Sequence, residues 1–130
     1  MRIDKLQAIV KINPNAQGKL VRCVSGEIYD VVVDIRRQSP TFSTWVATKL
    51  NNIEHHQLWI PSGFAHGFCS LEKENYIIYN CTNYRHKKSE VGIKYNDKKL
   101  NIKWPVKKPI LSNKDKKNLT FIEFKKKYKK

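Results

Sequence analysis

A length of 130 residues, a formal net charge of +15 and three cysteines set the first limits on this protein. The length suits one domain with a modest core, no apolar run is long enough to span a membrane, and residues 1–5 lack a signal core, so we expect a cytoplasmic protein without a membrane partner. The odd number of cysteines, without metal-ligand spacing, predicts buried free thiols and no metal site.

Short extended segments separated by turn residues fill the first part of the chain. Residues 6–12 and 19–23 are expected strands. The clearest strand is 27–36, where alternation places Asp30 and Asp34 on one face and only apolar side chains on the other. The polar face is explained either by exposure to solvent or by the polar wall of a ligand cavity.

A further expected strand, 42–50, precedes the most informative stretch, 57–68, with the sequence QLWIPSGFAHGF. We expect a strand, a Pro-Ser-Gly turn and a second strand that begins near His66. The small neighbours Ala65 and Gly67 are expected to leave space above the imidazole for a ligand. Residue types alone favour a buried, hydrogen-bonded structural histidine.

The β-rich pattern continues to residue 104. Segments 75–82, 91–95 and 100–104 are the remaining expected strands. Short strands with frequent turn signals and almost no helical periodicity indicate an antiparallel barrel or sandwich. The domain is predicted to span 1–118, and 119–130 is predicted to be a basic C-terminal tail or a short helix.

The positive charge is concentrated at the C-terminus. Residues 107–130 carry ten lysines against Asp115 and Glu123. Such an excess attracts polyanions without specifying which one. Because few aromatic side chains interleave with these lysines, a solvated basic tail is favoured over a nucleic-acid site, and no specific nucleic-acid partner is predicted.

From residue 15 to about residue 119 the sequence resembles the dTDP-4-dehydrorhamnose 3,5-epimerase family block by block. Residues 57–68 resemble the family's WIPxGFAHGF signature, and further matching blocks are Gln17-Gly18-Lys19-Leu20-Val21-Arg22, Gly26-Glu27-Ile28-Tyr29-Asp30-Val31, Ser39-Pro40-Thr41-Phe42, Trp104-Pro105 and Ile110-Leu111-Ser112. The resemblance implies an all-β double-stranded β-helix (a cupin jelly roll), usually a homodimer. It also implies an isomerase of dTDP-rhamnose biosynthesis that needs no metal or organic cofactor.

The family's reaction is proton exchange at C3 and C5 of a dTDP-linked 4-keto-6-deoxy sugar, whose own ketone acidifies the neighbouring carbons. The chemistry needs a base, a cation or donor at the enolate oxygen, and an acid on the other face of the sugar. By matched position, Lys19 is implied to lie near the enolate, Tyr79 to return the proton and Asp115 to orient the catalytic histidine. The implied substrate-binding residues are Gln17, Arg22, Asp30 and His66.

The resemblance fails before the Gln-Gly-Lys block. Family members carry an Arg-Gly-Leu-His-x-Gln motif there, and its histidine is the base; the residue ten positions before Lys19 is Ile9, which cannot accept a proton. A milder departure follows Tyr79. Family members commonly have two adjacent tyrosines there; this sequence keeps the first as Tyr84 and has Arg85 in place of the second. We therefore expect an N-terminally truncated member with weakened catalysis. The alternative is a non-catalytic or degenerate sugar-nucleotide-binding cupin.

Overall fold

The computed structural model describes the backbone of residues 5–11 and the complete residues 16–128. Strands dominate these residues, as the sequence predicts. The strands are β1 (Lys5–Lys11), β2 (Lys19–Ser25), β3 (Glu27–Asp34), β4 (Trp45–Asn51), β5 (Gln57–Ile60), β6 (Phe64–Ser70), β7 (Tyr76–Cys81), β8 (Glu90–Val91) and β9 (Ile110–Leu111). Two short helices follow, α1 (Asn113–Lys116) and α2 (Phe121–Lys127), and a 3₁₀ turn spans Lys87–Ser89.

The strands form two sheets. The larger sheet has the order β4-β3-β6-β1-β8, and β9 runs parallel to β1. The smaller sheet has the order β5-β2-β7 and is antiparallel throughout. The prediction of an all-β fold is confirmed.

The two sheets face each other across a small apolar core. Its buried residues come from both sheets: Val21, Cys23, Ile28, Val32, Leu50 and Ile60. Asp30 and Asp34 lie on this same inner face of β3, with exposed fractions of only 0 and 3%. The polar face of β3 is therefore an interior wall, and the solvent-exposed alternative is wrong.

A second core covers the outer face of the larger sheet. Its buried residues are Val31, Val33, Ala65, Ile93, Leu100, Phe121 and Phe124. Helix α2 begins with a capping box between Thr120 and Glu123, and its last carbonyls, those of Lys125 and Tyr128, accept hydrogen bonds from the guanidinium of Arg37. The helix is thereby held at both ends, and both faces of β3 are buried.

A buried carboxylate organises the loop between β3 and β4. Asp34 accepts hydrogen bonds from Arg36, Ser39 and Thr41, including two from the guanidinium of Arg36 at 2.9 and 3.0 Å. These hydrogen bonds hold the pKa of Asp34 well below its usual range, and the one from Arg36 has the largest effect. The same guanidinium lies 4.5 Å from the centre of the Phe64 ring, so the network also fixes the start of β6.

Several expected strand boundaries are corrected. Strand β4 begins at Trp45 because Ser43 has φ 67° and lies in a turn. Only Glu90–Val91 of the region around 91–95 is a strand. Segment 100–104 is not a strand, since Asn101 has φ 51°. Its alternating apolar side chains, Leu100, Ile102 and Trp104, pack instead against the second core.

The three cysteines are free thiols with different environments. Cys23 and Cys69 are buried, and burial raises the pKa of the Cys23 thiol. Cys81 is exposed, because it ends β7, an edge strand of the smaller sheet. The prediction of buried thiols is confirmed for Cys23 and Cys69 and is wrong for Cys81.

Candidate functional site

A buried imidazole–carboxylate pair lies on the inner face of the larger sheet. The register of β3 and β6 places Asp30 opposite Phe68 and Val32 opposite His66, so Asp30 and His66 are diagonal neighbours. Nε2 of His66 lies 2.8 Å from Oδ2 of Asp30. The exposed fractions are 8% for His66 and 0% for Asp30. The histidine is thus buried and hydrogen-bonded, and its partner is a carboxylate from another strand.

Lys19 adds a positive charge to this pair from the facing sheet. It begins β2, and only 8% of its surface is exposed. Burial raises the pKa of Asp30, while the hydrogen bond from His66 and the positive charges of His66 and Lys19 oppose that rise. The structure therefore brings together three predicted site residues from two sheets.

One atom of this cluster has unused hydrogen-bonding capacity. Oδ1 of Asp30 is fully buried and lacks a hydrogen-bond partner among the residues that the structure describes. Burying an ionisable group with an unsatisfied oxygen lowers stability, and an apolar residue of similar volume would fold at least as well. Clusters of this kind are typical of functional sites.

Tyr79 lies on the same face of the smaller sheet as Lys19. In the register of β2 and β7, Tyr79 is opposite Val21, a fully buried inner-face residue, and Cys81 is opposite Lys19. Paired residues of an antiparallel ladder share a face. Because β7 is an edge strand, Tyr79 remains 50% exposed.

Two other predicted site residues flank the cluster: Gln17 lies just before β2, and Arg22 lies on the outward side of β2. The Gln17 amide donates to the carbonyls of Asn83 and Tyr84 at 2.7 and 2.9 Å, which ties the start of β2 to the loop after β7. Arg22 is exposed, because alternation along β2 turns it away from the inner face. Its assignment as a substrate ligand, like that of Gln17, stays a prediction.

Asp115 is buried at the start of α1. Its carboxylate accepts from Ser112 at 2.6 Å and from Asn118 at 3.4 Å. Both of these partners lie beside α1. Helix α1 follows β9, which pairs with β1, so Asp115 belongs to the β1 side of the larger sheet.

Strand β1 places position 9 beside the cluster. The backbone of β1 pairs with β6, and Ile9 is opposite His66 in the register. The position at which the sequence count puts the family's base therefore adjoins His66 in the sheet. That Ile9 replaces this base stays a prediction.

An apolar cavity lies against the outer face of the larger sheet, beside His66. Ala65 and Gly67 alternate with His66 and therefore face outward, where they help to line this cavity. Ile102 and Trp104 also line this cavity, and the Trp104 indole N–H donates to the carbonyl of Tyr95. That a ligand occupies open space above the His66 imidazole stays a prediction.

Neither metal-ligand clusters nor membrane helices occur in the part of the chain that the structure describes. Within those residues no group of three or more His, Cys, Asp or Glu side chains is placed to hold a metal ion. In the same residues no helix has the length and apolar character needed to cross a bilayer.

Comparison with known proteins defines the family. Residues 7–123 match the family model for dTDP-4-dehydrorhamnose 3,5-epimerase. The dTDP-4-dehydrorhamnose 3,5-epimerase of Shigella flexneri is 51% identical over 113 residues, 87% of this chain and 62% of the relative. That of Salmonella typhimurium is 52% identical over 102 residues, 78% of this chain and 56% of the relative.

Solved structures give the same result. The dTDP-4-dehydrorhamnose 3,5-epimerase of Elizabethkingia anophelis has a TM-score of 0.91 at 35% identity, covering 95% of this chain and 69% of that one. The Legionella pneumophila dTDP-6-deoxy-D-glucose-3,5-epimerase, solved with dTDP-4-keto-L-rhamnose, has a TM-score of 0.84 at 43% identity, covering 88% and 62%.

The fold and these matches define a cupin-type jelly roll of the sugar-nucleotide epimerase class, so the predicted fold is confirmed. The chain belongs to the dTDP-4-dehydrorhamnose 3,5-epimerase family. It spans about 56–62% of the length of the two curated relatives described above.

Proposed function

We propose that this chain catalyses proton exchange at C3 and C5 of a dTDP-linked 4-keto-6-deoxyhexose in dTDP-rhamnose biosynthesis. The observation that carries the proposal is the buried cluster of Lys19, Asp30 and His66 in a member of this family. Removing a proton beside a ketone places negative charge on the ketone oxygen, and a nearby cation in a low-dielectric interior stabilises that charge. The dTDP-4-keto-L-rhamnose complex of the Legionella relative supports a dTDP-sugar partner.

The proposed roles follow from charge and position. The Lys19 ammonium stabilises the enolate oxygen, and the phenol of Tyr79 returns a proton from the facing strand. His66 and Asp30 contact the sugar ring, and no metal or organic cofactor is needed because the substrate's ketone supplies the electron sink. The roles of Gln17, Arg22 and Asp115 remain predictions from family position.

Tyr79→Phe tests the proposed acid. It retains the ring and loses the proton donor, so we expect formation of the epimerised sugar to slow by ~10²–10⁴-fold. The measurement is a proton NMR time course with dTDP-4-keto-6-deoxyglucose. Tyr76→Phe, on the same strand but the opposite face, is the matched control and should leave the rate unchanged. Equal rates for wild type and Tyr79→Phe would contradict the role.

A second candidate function is sugar-nucleotide binding without catalysis. It is favoured by Ile9 at the register position beside His66, since isoleucine has no lone pair. Calorimetric titration with the same sugar nucleotide discriminates the two. Binding without any turnover supports the non-catalytic function, and turnover excludes it.

We also propose that the chain acts as a homodimer. The outer face of the smaller sheet exposes Val24, Trp59, Tyr76 and Ile78, with 54% of Trp59 and 64% of Tyr76 accessible. A second copy covering this face would remove these apolar side chains from water. Sedimentation equilibrium is expected to give twice the chain mass, and a monomer at micromolar concentration would contradict the proposal.

A cytoplasmic location is proposed from the cysteines. Cys23 and Cys69 are buried as free thiols, which suits a reducing compartment. Detection of the protein in the cytosolic fraction of its source cell tests this placement, and enrichment in an extracytoplasmic fraction would contradict it.

A further inference from the structure

The hydrogen bond between His66 and Asp30 selects one tautomer of the imidazole. Burial raises the pKa of Asp30, and the hydrogen bond from His66 and the charges of His66 and Lys19 oppose that rise. An Asp30 carboxylate only accepts hydrogen bonds, so the 2.8 Å contact assigns the proton of a neutral ring to Nε2. The lone pair of that neutral ring lies on Nδ1, for which no hydrogen bond is found in residues 16–128.

We propose that Nδ1 of His66 is the base that takes the α-proton of the sugar, with Asp30 as the residue that positions the ring. The inference rests on the proposed function and names the group that performs its first step. It gives His66 a chemical role in place of the substrate-binding role predicted from family position.

The sheet register places the proposed base, His66, close to position 9, where the family's base is expected. Ile9 and His66 are directly opposite each other on neighbouring strands. Adjacent strands are separated by about 4.7–4.9 Å. A base on His66 therefore lies one strand away from position 9, on a side chain that faces the same inter-sheet space as Lys19. Its buried partner Asp30 fixes the ring as a carboxylate fixes a catalytic histidine in other enzymes.

The proposed step is balanced in atoms and charge. The C–H bond next to the ketone breaks, its electron pair forms the C=C bond of the enolate, and the carbonyl π pair moves onto oxygen. The proton goes to Nδ1, giving an imidazolium whose Nε2–H stays hydrogen-bonded to the Asp30 carboxylate. The phenol of Tyr79 then protonates the carbon from the other face: the C=C pair forms the new C–H bond, the oxygen pair re-forms the ketone, and Tyr79 is left as a phenolate. Proton exchange with solvent restores the neutral imidazole and the phenol. No oxidant, reductant or co-reactant is consumed.

The test measures solvent-deuterium incorporation into dTDP-4-keto-6-deoxyglucose with four proteins: wild type, His66→Gln, His56→Gln and the double variant Ile9→His/His66→Gln. His56 is an exposed histidine and serves as the matched control. We expect His66→Gln to slow incorporation by at least ~10²-fold with the sugar still bound, and His56→Gln to match wild type. In the double variant, a histidine at position 9 is expected to restore at least a tenth of the rate.

A second measurement does not depend on the stability of any His66 variant. The ¹⁵N spectrum of the wild-type protein reports the tautomer of each histidine, and substitution of His55, His56 and His86 identifies the His66 signals by elimination. We expect a protonated Nε2 and an unprotonated Nδ1. In Asp30→Asn this preference should weaken, because the amide can donate as well as accept, and Asp30→Glu should retain it.

The outcomes separate this inference from the proposed function. Wild-type rates in a folded His66→Gln variant, or an Nδ1–H tautomer in wild type, would overturn the role of His66 and leave the epimerase function standing. An absence of incorporation by wild type itself would overturn the proposed function and this inference with it. A slow His66→Gln variant rescued by Ile9→His supports both.

Discussion

Replacing Lys19 with methionine is expected to slow proton exchange at C3 and C5 by ~10²–10³-fold, the usual cost of removing one group that stabilises a developing oxyanion. Methionine has a similar length and volume but no charge. Lys19 is 8% exposed and contributes its charge to the cluster around Asp30. The loss should fall mainly on kcat, because the negative charge that Lys19 stabilises forms only after the proton has left. Deuterium incorporation followed by mass spectrometry gives the rate.

Two control variants define the meaning of this loss. Lys49→Met removes a lysine on β4 whose side chain is 59% exposed, and it should leave the exchange rate unchanged. Lys19→Arg retains the charge at the site and should retain more activity than Lys19→Met. A wild-type rate in a folded Lys19→Met protein, or an equal loss in Lys49→Met, would show that local charge at Lys19 does not stabilise the enolate.

The second large effect is expected on stability, at Phe121. Its side chain is 1% exposed and contacts the rings of Phe42 and Phe124, with centroid distances of 5.7 and 6.3 Å. Truncating a buried phenylalanine to alanine lowers the free energy of unfolding by about 3–5 kcal/mol. We expect that loss for Phe121→Ala in urea unfolding followed by circular dichroism.

The neighbouring residue Ile122 provides the control. It lies on the same helix, is 52% exposed and should cost less than about 0.5 kcal/mol when replaced by alanine. The comparison also tests the predicted domain boundary at residue 118. A large effect at Phe121 means that α2 is part of the folded domain. Equal, small effects at both positions would mean that the residues after 118 contribute little to stability.

The sequence predicts the strands that carry the site because period-two alternation is a local property. It places Asp30 and Asp34 together on one face of β3, and it places His66 on the strand after the Pro-Ser-Gly turn. The family resemblance adds the jelly-roll fold, which alternation alone leaves as a barrel or a sandwich. These predictions need no knowledge of which strands pair.

The sequence does not show which strands pair or what covers each face of a sheet. The polar face of β3 fits either solvent or an interior wall. The structure decides between them because Phe121 and Phe124 cover the opposite, apolar face, which leaves the polar face turned toward the smaller sheet. The diagonal contact of Asp30 with His66 depends on the register of strands 36 residues apart. The alternation in 100–104 predicts a strand, but the segment has no strand beside it. Its apolar side chains alternate because they pack on the outer face of the larger sheet.

Enolisation of a dTDP-linked 4-keto sugar is the activity that we propose for this chain. It is tested by incubating the wild-type protein with dTDP-4-keto-6-deoxyglucose in deuterated water, with C3 and C5 read by NMR against a protein-free control. We expect deuterium incorporation at C3 or C5 well above that control. Incorporation at neither carbon, with the folded protein saturated by the sugar nucleotide, would contradict it and leave a sugar-nucleotide-binding jelly roll.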